Sequence, residues 1–247
     1  VRQVPGWWRS PIVAAVGCCA LILLGGCGSI SGSAGTFTPA RPNVLTVATS
    51  AIPSAGFWEG TPSHPTGGFE YELARQLATR FGLDTVKIKI VHFHRLVAGH
   101  LGGADLGIDL ITPTGEREQK LEFSTPYLKA APTVLVRSGT EVPDLATAQE
   151  LRWGVVHSTT FVEAIEDSIV PEQAPILYDG QRQLLAALEA GKIDATMLDL
   201  PLAVATANHS EGKFEAVAQL PDREAISVAL PKDSPNRQAV DSAIRAF

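Results

Sequence analysis

Cysteine is almost absent from this chain of 247 residues: Cys18, Cys19 and Cys27 are all there is, and none lies beyond residue 27. Whatever folds after that point has neither disulfide nor zinc–thiolate chemistry available to it. Runs of lysine and arginine are missing too, and the formal net charge is −6, so nucleic acid is excluded as a partner. Only six histidines are present, scattered along the chain, and a metal site needs three or four convergent ligands; no metal and no other cofactor is expected. The nucleophile elbow Gly-x-Ser-x-Gly and the phosphate-binding glycine loop are absent. The longest apolar stretch, Ile12 to Leu24, is 13 residues and falls short of the ~20 that cross a bilayer.

What the N-terminus does contain reads as an export signal, the alternative being an ordinary N-terminal anchor helix. Arg2 and Arg9 form a basic region before the apolar stretch, and Leu24-Gly25-Gly26-Cys27 follows it directly. That tetrapeptide resembles the bacterial lipobox, in which the cysteine receives lipid and becomes the mature N-terminus. Residues 1–26 are thus expected to be removed and Cys27 to anchor the protein to the membrane from outside the cytoplasm. Loss of Arg2 and Arg9 takes the formal charge from −6 to −8. Residues 27–42, rich in Gly, Ser, Thr and Pro, read as a flexible tether.

Strand and helix patterns alternate through the remaining 205 residues, which suffice for two lobes. Strands are predicted at 44–49, 86–90, 104–111, 153–156, 176–178 and 193–198. Helices are predicted at 69–81, where Phe69, Leu73, Leu77 and Phe81 form a stripe closed by Gly82, and at 93–101, 160–168, 181–190, 201–207 and 237–247. Such alternation implies α/β architecture, with sheets covered by helices. Gly102-Gly103-Ala104-Asp105 and Gly191-Lys192-Ile193-Asp194 echo each other, each opening an apolar strand that ends in a polar cluster, Asp109/Thr112 in one half and Asp199 in the other. The echo predicts two similar lobes, 43–133 with a return over 225–247, and 134–224. Ala131 to Arg137 and Ala225 to Pro231 are the two hinge connections.

Ile111 to Arg117 reads Ile-Thr-Pro-Thr-Gly-Glu-Arg, a strand running into a turn and then a polar helical turn, with Thr112 or Thr114 as cap. A cation in a first helical turn opposes the macrodipole, but an anion placed there meets backbone N–H groups, a threonine hydroxyl and the guanidinium together. The alternative is a surface arginine paired with Glu116 or Glu118. Ser158-Thr159-Thr160 offers a second set of donors from the other half. Asp199, directly after an apolar run, either caps the next helix or meets a cation. Together these groups suit a zwitterion.

Four stretches, Gly68 to Ala74, Ile111 to Arg117, Phe123 to Tyr127 and Asp194 to Asp199, make the chain from about residue 43 resemble the polar amino-acid family of extracytoplasmic solute-binding proteins, family 3. The resemblance implies a type II periplasmic-binding-protein fold with two mixed, mostly parallel sheets, a monomer that is no enzyme, and delivery of an amino acid to the permease subunits of an ABC importer. It implies Arg117, Thr112, Thr159 and Thr160 on the ligand α-carboxylate, and Asp199 with the Leu110 carbonyl on the α-ammonium. Gly115 departs from the family's Thr-Pro-Glu-Arg turn, and the loop 50–60 lacks its usual Tyr-Pro-Pro-Phe pattern, leaving Phe57, then Trp58, to cover the ligand, with a plain core role open for either. Family members continue about one helix past the position of Phe247. His94-Arg95-Leu96-Val97 stands where glutamate- and aspartate-binding members carry Asn-Arg-Ile-Pro, so Arg95 points to glutamate, aspartate, glutamine or asparagine; the alternative is an exposed arginine. Two other functions stay open: an enzyme on the same fold, resembling cyclohexadienyl dehydratase, with Glu70, His92 or His157 as general acid, and an amino-acid sensor.

Overall fold

The computed structural model describes residues 35–247; the signal segment, Cys27 and the tether as far as residue 34 lie outside the described residues. In chain order the strands are β1 (Val44–Thr49), β2 (Glu59–Thr61), β3 (His64–Gly67), β4 (Thr85–Ile90), β5 (Leu106–Gly107), β6 (Leu121–Phe123), β7 (Leu128–Ala130) and β8 (Pro132–Arg137). There follow β9 (Trp153–Val156), β10 (Ile176–Tyr178), β11 (Ala195–Asp199), β12 (Phe214–Gln219), β13 (Glu224–Ile226) and β14 (Ala229–Pro231). The helices are α1 (Phe69–Arg80), α2 (Phe93–Val97), α3 (Gly115–Glu118), α4 (Leu145–Glu150), α5 (Phe161–Ala164), α6 (Gln181–Glu189), α7 (Leu200–His209) and α8 (Arg237–Ile244).

Two five-stranded sheets, each the centre of one lobe, have the orders β4-β1-β5-β14-β6 and β10-β9-β11-β8-β12. In the first, β1 runs parallel to β4 and β5, and β14 runs antiparallel to β5 and β6. In the second, β9 is parallel to β10 and β11, and β8 is antiparallel to β11 and β12. The antiparallel members are the strands beside the crossings between lobes. There β7 and β13 form their own antiparallel ribbon, with Glu224 opposite Ala130.

The echo between the two halves has a structural cause. Asp105 accepts the backbone N–H of Thr46 at 2.8 Å, and Asp194 accepts that of Arg152 at 3.1 Å. Each aspartate thereby ties the start of its strand to the neighbouring one. Asp194 also holds Arg152 and Arg137, with Nη2 to Oδ1 distances of 2.7 and 3.0 Å.

Several expectations need correction. The tether does not run free to residue 42: Phe37 is buried and stacks on Phe81 with ring centroids 4.1 Å apart, while the N–H groups of Thr38 and Ala40 donate to Asn236 and Asp105. The strand expected over 104–111 is reduced to Leu106–Gly107, because Leu110 takes a left-handed φ of 48° and bends the chain. The helix from Phe93 ends at Val97, just before Gly99 with φ 90°. The helix expected over 160–168 changes after α5 into a π-helical segment, Ile165–Ile169.

Candidate functional site

The ends of β1, β5, β9 and β11 face one another across the gap between the sheets, where open α/β sheets place their ligand sites. The chain after them lines a cavity: Ser50, Asp109, Leu110, Thr112 and Arg117 from the first half, with Val156, Thr159, Thr160, Met197, Leu198 and Asp199 from the second. Glu70 of α1, Phe93 of α2, Gln181 and Leu184 of α6, Leu202 of α7 and Glu224 of β13 complete the wall, with Ser54 and Phe161.

Thr114 caps α3, accepting the Arg117 N–H at 3.3 Å. The one-turn helix turns the Arg117 side chain inward, where it is 7% exposed. Glu116 faces away and pairs with Lys120, so the surface-pair alternative is excluded. The guanidinium donates through Nη1 to the Thr112 carbonyl at 2.5 Å and through Nη2 to the Ser158 carbonyl at 2.7 Å, one group from each lobe. Its Cζ lies 5.5 Å from the centre of the Phe93 ring. Burial lowers its pKa, and Glu224 is the carboxylate that opposes this most.

Thr159 lines the cavity, but its hydroxyl donates to the Val156 carbonyl at 2.7 Å within its own loop. The Thr112 and Thr160 hydroxyls both donate to Glu224 Oε2, the latter at 2.8 Å. A further polar tie between the lobes is the Ser54 hydroxyl to Gln181 Oε1 at 3.2 Å.

The remaining charge in the cavity is negative. Asp199 stands at the N-cap position of α7 without capping it, and its buried Oδ1 has no hydrogen-bond partner among the described residues. Burial, then Glu224 and Glu70, push its carboxyl up to about 8. Glu70 rises to about 7, through burial first and Asp109 second. Bonds from Tyr127 Oη, the Leu110 N–H at 2.8 Å and Trp58 Nε1 at 2.7 Å partly offset this. Asp109 accepts the Thr49 hydroxyl at 2.7 Å and is raised by burial. A desolvated carboxylate of this kind is ionised only beside a cation.

Two expected site residues lie elsewhere. Phe57 is a core residue, 4% exposed, and does not line the cavity. The reason is local: Gly68, with φ 103°, allows the carbonyls of Gly56 and Phe57 to cap α1 by accepting the N–H groups of Phe69, Glu70 and Tyr71. This packs the loop against the helix, buries Phe57 against Phe69 and puts Trp58 on Glu70. Phe93 and Phe161 are the aromatic residues at the cavity instead. Arg95, on the opposite face of α2, is exposed and lines a separate surface depression with Lys89, His92 and His100. His92 and His157 do not line the cavity; the His157 ring lies tilted against that of His94, ring centroids 4.6 Å apart. Glu224 carries no motif, and sequence reasoning missed it; Asp109 was visible only as a polar strand end.

A family model for bacterial extracellular solute-binding proteins, family 3, matches residues 45–246. The chain belongs to that family. Family 3 relatives include the L-cystine-binding protein TcyJ of Escherichia coli (strain K12), 28% identical over 182 residues, which cover 72% of this chain and 67% of TcyJ. The membrane-bound lytic murein transglycosylase F of Ectopseudomonas mendocina (strain ymp) is 29% identical over 188 residues, 72% of this chain; the match spans only 38% of that protein's length. Among solved structures, the arginine-, lysine-, histidine-binding protein ArtJ of Geobacillus stearothermophilus superposes with a TM-score of 0.72 at 26% identity, over 82% of this chain and 88% of ArtJ. The family 3 fold is thus a two-lobed binding protein with its cavity at the facing strand ends. Among the described residues no helix is long and apolar enough to cross a membrane.

Proposed function

We propose that this protein captures a single amino acid outside the cytoplasm and presents it to the permease subunits of an ABC importer, and that the amino acid carries a cationic side chain. In this reading Arg117, helped by Thr112 and Thr160, anchors the α-carboxylate, and Asp199 with the backbone at Leu110 takes the α-ammonium. Glu70 and Asp109 receive the side-chain cation. The observation that carries the reading is the unpartnered, buried Oδ1 of Asp199 in one cavity with Glu70, Asp109 and Arg117. A second acidic group on the ligand would lie among carboxylates, with no cation but Arg117 lining the cavity among the described residues. This reverses the preference for glutamate, aspartate or their amides that Arg95 suggested, because Arg95 does not line the cavity.

The enzyme alternative gains no support from Glu70: hydrogen bonds from Trp58, Leu110 and Tyr127 fix it in the cavity wall, where it serves as counter-charge to the ligand cation. Anchoring through lipid on Cys27 is part of the same proposal and rests on Leu24-Gly25-Gly26-Cys27; Cys27→Ser should abolish incorporation of labelled fatty acid. A thermal-shift panel of the twenty amino acids tests the ligand class. A basic amino acid at about 100 times its dissociation constant should stabilise by roughly 2.7 kcal/mol. Stabilisation by glutamate or aspartate with none from lysine, arginine or histidine would refute the reading.

A further inference from the structure

The donors assigned to the ligand's α-carboxylate already hold a carboxylate, and it belongs to the protein. Glu224 projects from β13, on the ribbon beside the crossings between lobes, and reaches into the cavity. Its Oε2 accepts from Thr112 Oγ1 on the first lobe and from Thr160 Oγ1 on the second. Each hydroxyl has one proton to donate, so neither is free while Glu224 stays in place. Arg117 has one N–H on the Thr112 carbonyl and another on the Ser158 carbonyl. A ligand carboxylate arriving at this point meets occupied hydroxyls and a like charge. A decarboxylated amine meets neither obstacle, since it has nothing to place there.

Resting on the reading of the site given above, we propose that Glu224 is an intramolecular competitor for the ligand's α-carboxylate. It bridges Thr112 and Thr160 until the ligand displaces it, and so sets the preference between an amino acid and the amine that lacks the carboxyl group. A brace for β13 with no part in recognition would treat the two ligands alike. Competition separates them, because removing the charge of Glu224 helps only the ligand that needs its place.

The test uses the full chain, wild type and Glu224→Gln, with Glu224→Ala as a second variant should the amide fail to fold. Calorimetric titration with L-arginine and with agmatine, its decarboxylated amine, should give an affinity for arginine at least tenfold higher in the variant, and for agmatine an affinity unchanged or lower. Equal changes for the two ligands, or weaker arginine binding, overturn the proposal. A second arm is independent of the amino-acid assignment. Sodium acetate, a bare carboxylate, is titrated while the methyl resonances of Thr112 and Thr160 are followed by NMR. Both should respond in the variant with a midpoint at least tenfold lower than in wild type. Equal midpoints overturn the role of Glu224 whether or not any amino acid binds. Failure of every amino acid to bind, with the acetate difference intact, removes the proposed ligand class and leaves the competitor.

Discussion

A carboxylate buried beside other carboxylates becomes charged only when a cation joins it, and Asp199 is in that position. With its carboxyl pushed up to about 8 and that of Glu70 to about 7, both are largely protonated at pH 6. A cationic ligand must displace those protons, so its affinity should rise from pH 6 through about pH 8 and level off by pH 9. Calorimetry at pH 7 in buffers of different ionisation enthalpy should record proton release on binding. The same groups act on stability with a definite sign. Between pH 4 and 8 the unfolded chain ionises Asp199 and the folded protein does not, so folding loses stability as pH rises through that window. Asp199→Asn removes the loss. Its Tm without added ligand should exceed that of wild type at pH 8 by at least about 3 °C, the difference should vanish near pH 4, and binding should be lost. Arg117→Ala removes a buried guanidinium with one hydrogen bond to each lobe, and should weaken binding of an amino acid by roughly 100-fold or more.

Among the elements, β1, β9 and β10 have the ends their apolar runs predict, because each is a compact hydrophobic segment bounded by polar residues. The hairpin β2–β3 and the exposed β12 were not legible; Glu-Gly-Thr, His-Pro-Thr-Gly and Phe-Glu-Ala-Val-Ala-Gln contain no period that separates a strand from a loop. Arg117, Thr112 and Asp199, which line the cavity, were singled out in the sequence because short motifs on adjoining strand ends carry them. Glu224 was not, since its meeting with Thr112 spans 112 positions and depends on the pairing of β13 with β7. Two predictions belong to this scale. A Cβ at Gly68 would lie 2.3 Å from the Phe57 carbonyl oxygen, so Gly68→Ala should destabilise the protein by at least about 2 kcal/mol. It should also disturb Trp58 fluorescence, because the loop carrying Trp58 is what caps α1. Asp194 is held well below the usual carboxylate range, chiefly by its bonds from Arg152 and then from Arg137, against burial. Asp194→Asn should cost about 1–2 kcal/mol at pH 7 in urea unfolding. That loss should shrink as pH falls below 4, where the unfolded chain takes up a proton at Asp194 while the folded protein still holds it ionised.

For the whole molecule, two sheets of matching design face each other and are joined by the ribbon β7–β13, with Arg117, Thr160 and Gln181 making polar contacts from one side of the gap to the other. An acidic chain with carboxylates at the centre of its cleft favours positively charged ligands twice, by long-range attraction and by local pairing. Association of a basic amino acid should therefore slow as salt is added, while that of a neutral one should not. The most direct measurement is isothermal titration of the full chain, at pH 8 and low salt, with L-lysine and L-glutamate in separate experiments. Lysine or its basic counterparts should bind at least 100-fold more tightly than glutamate. Equal affinities, or tighter binding of glutamate, would contradict the assignment of Asp199, Glu70 and Asp109 to a cationic ligand.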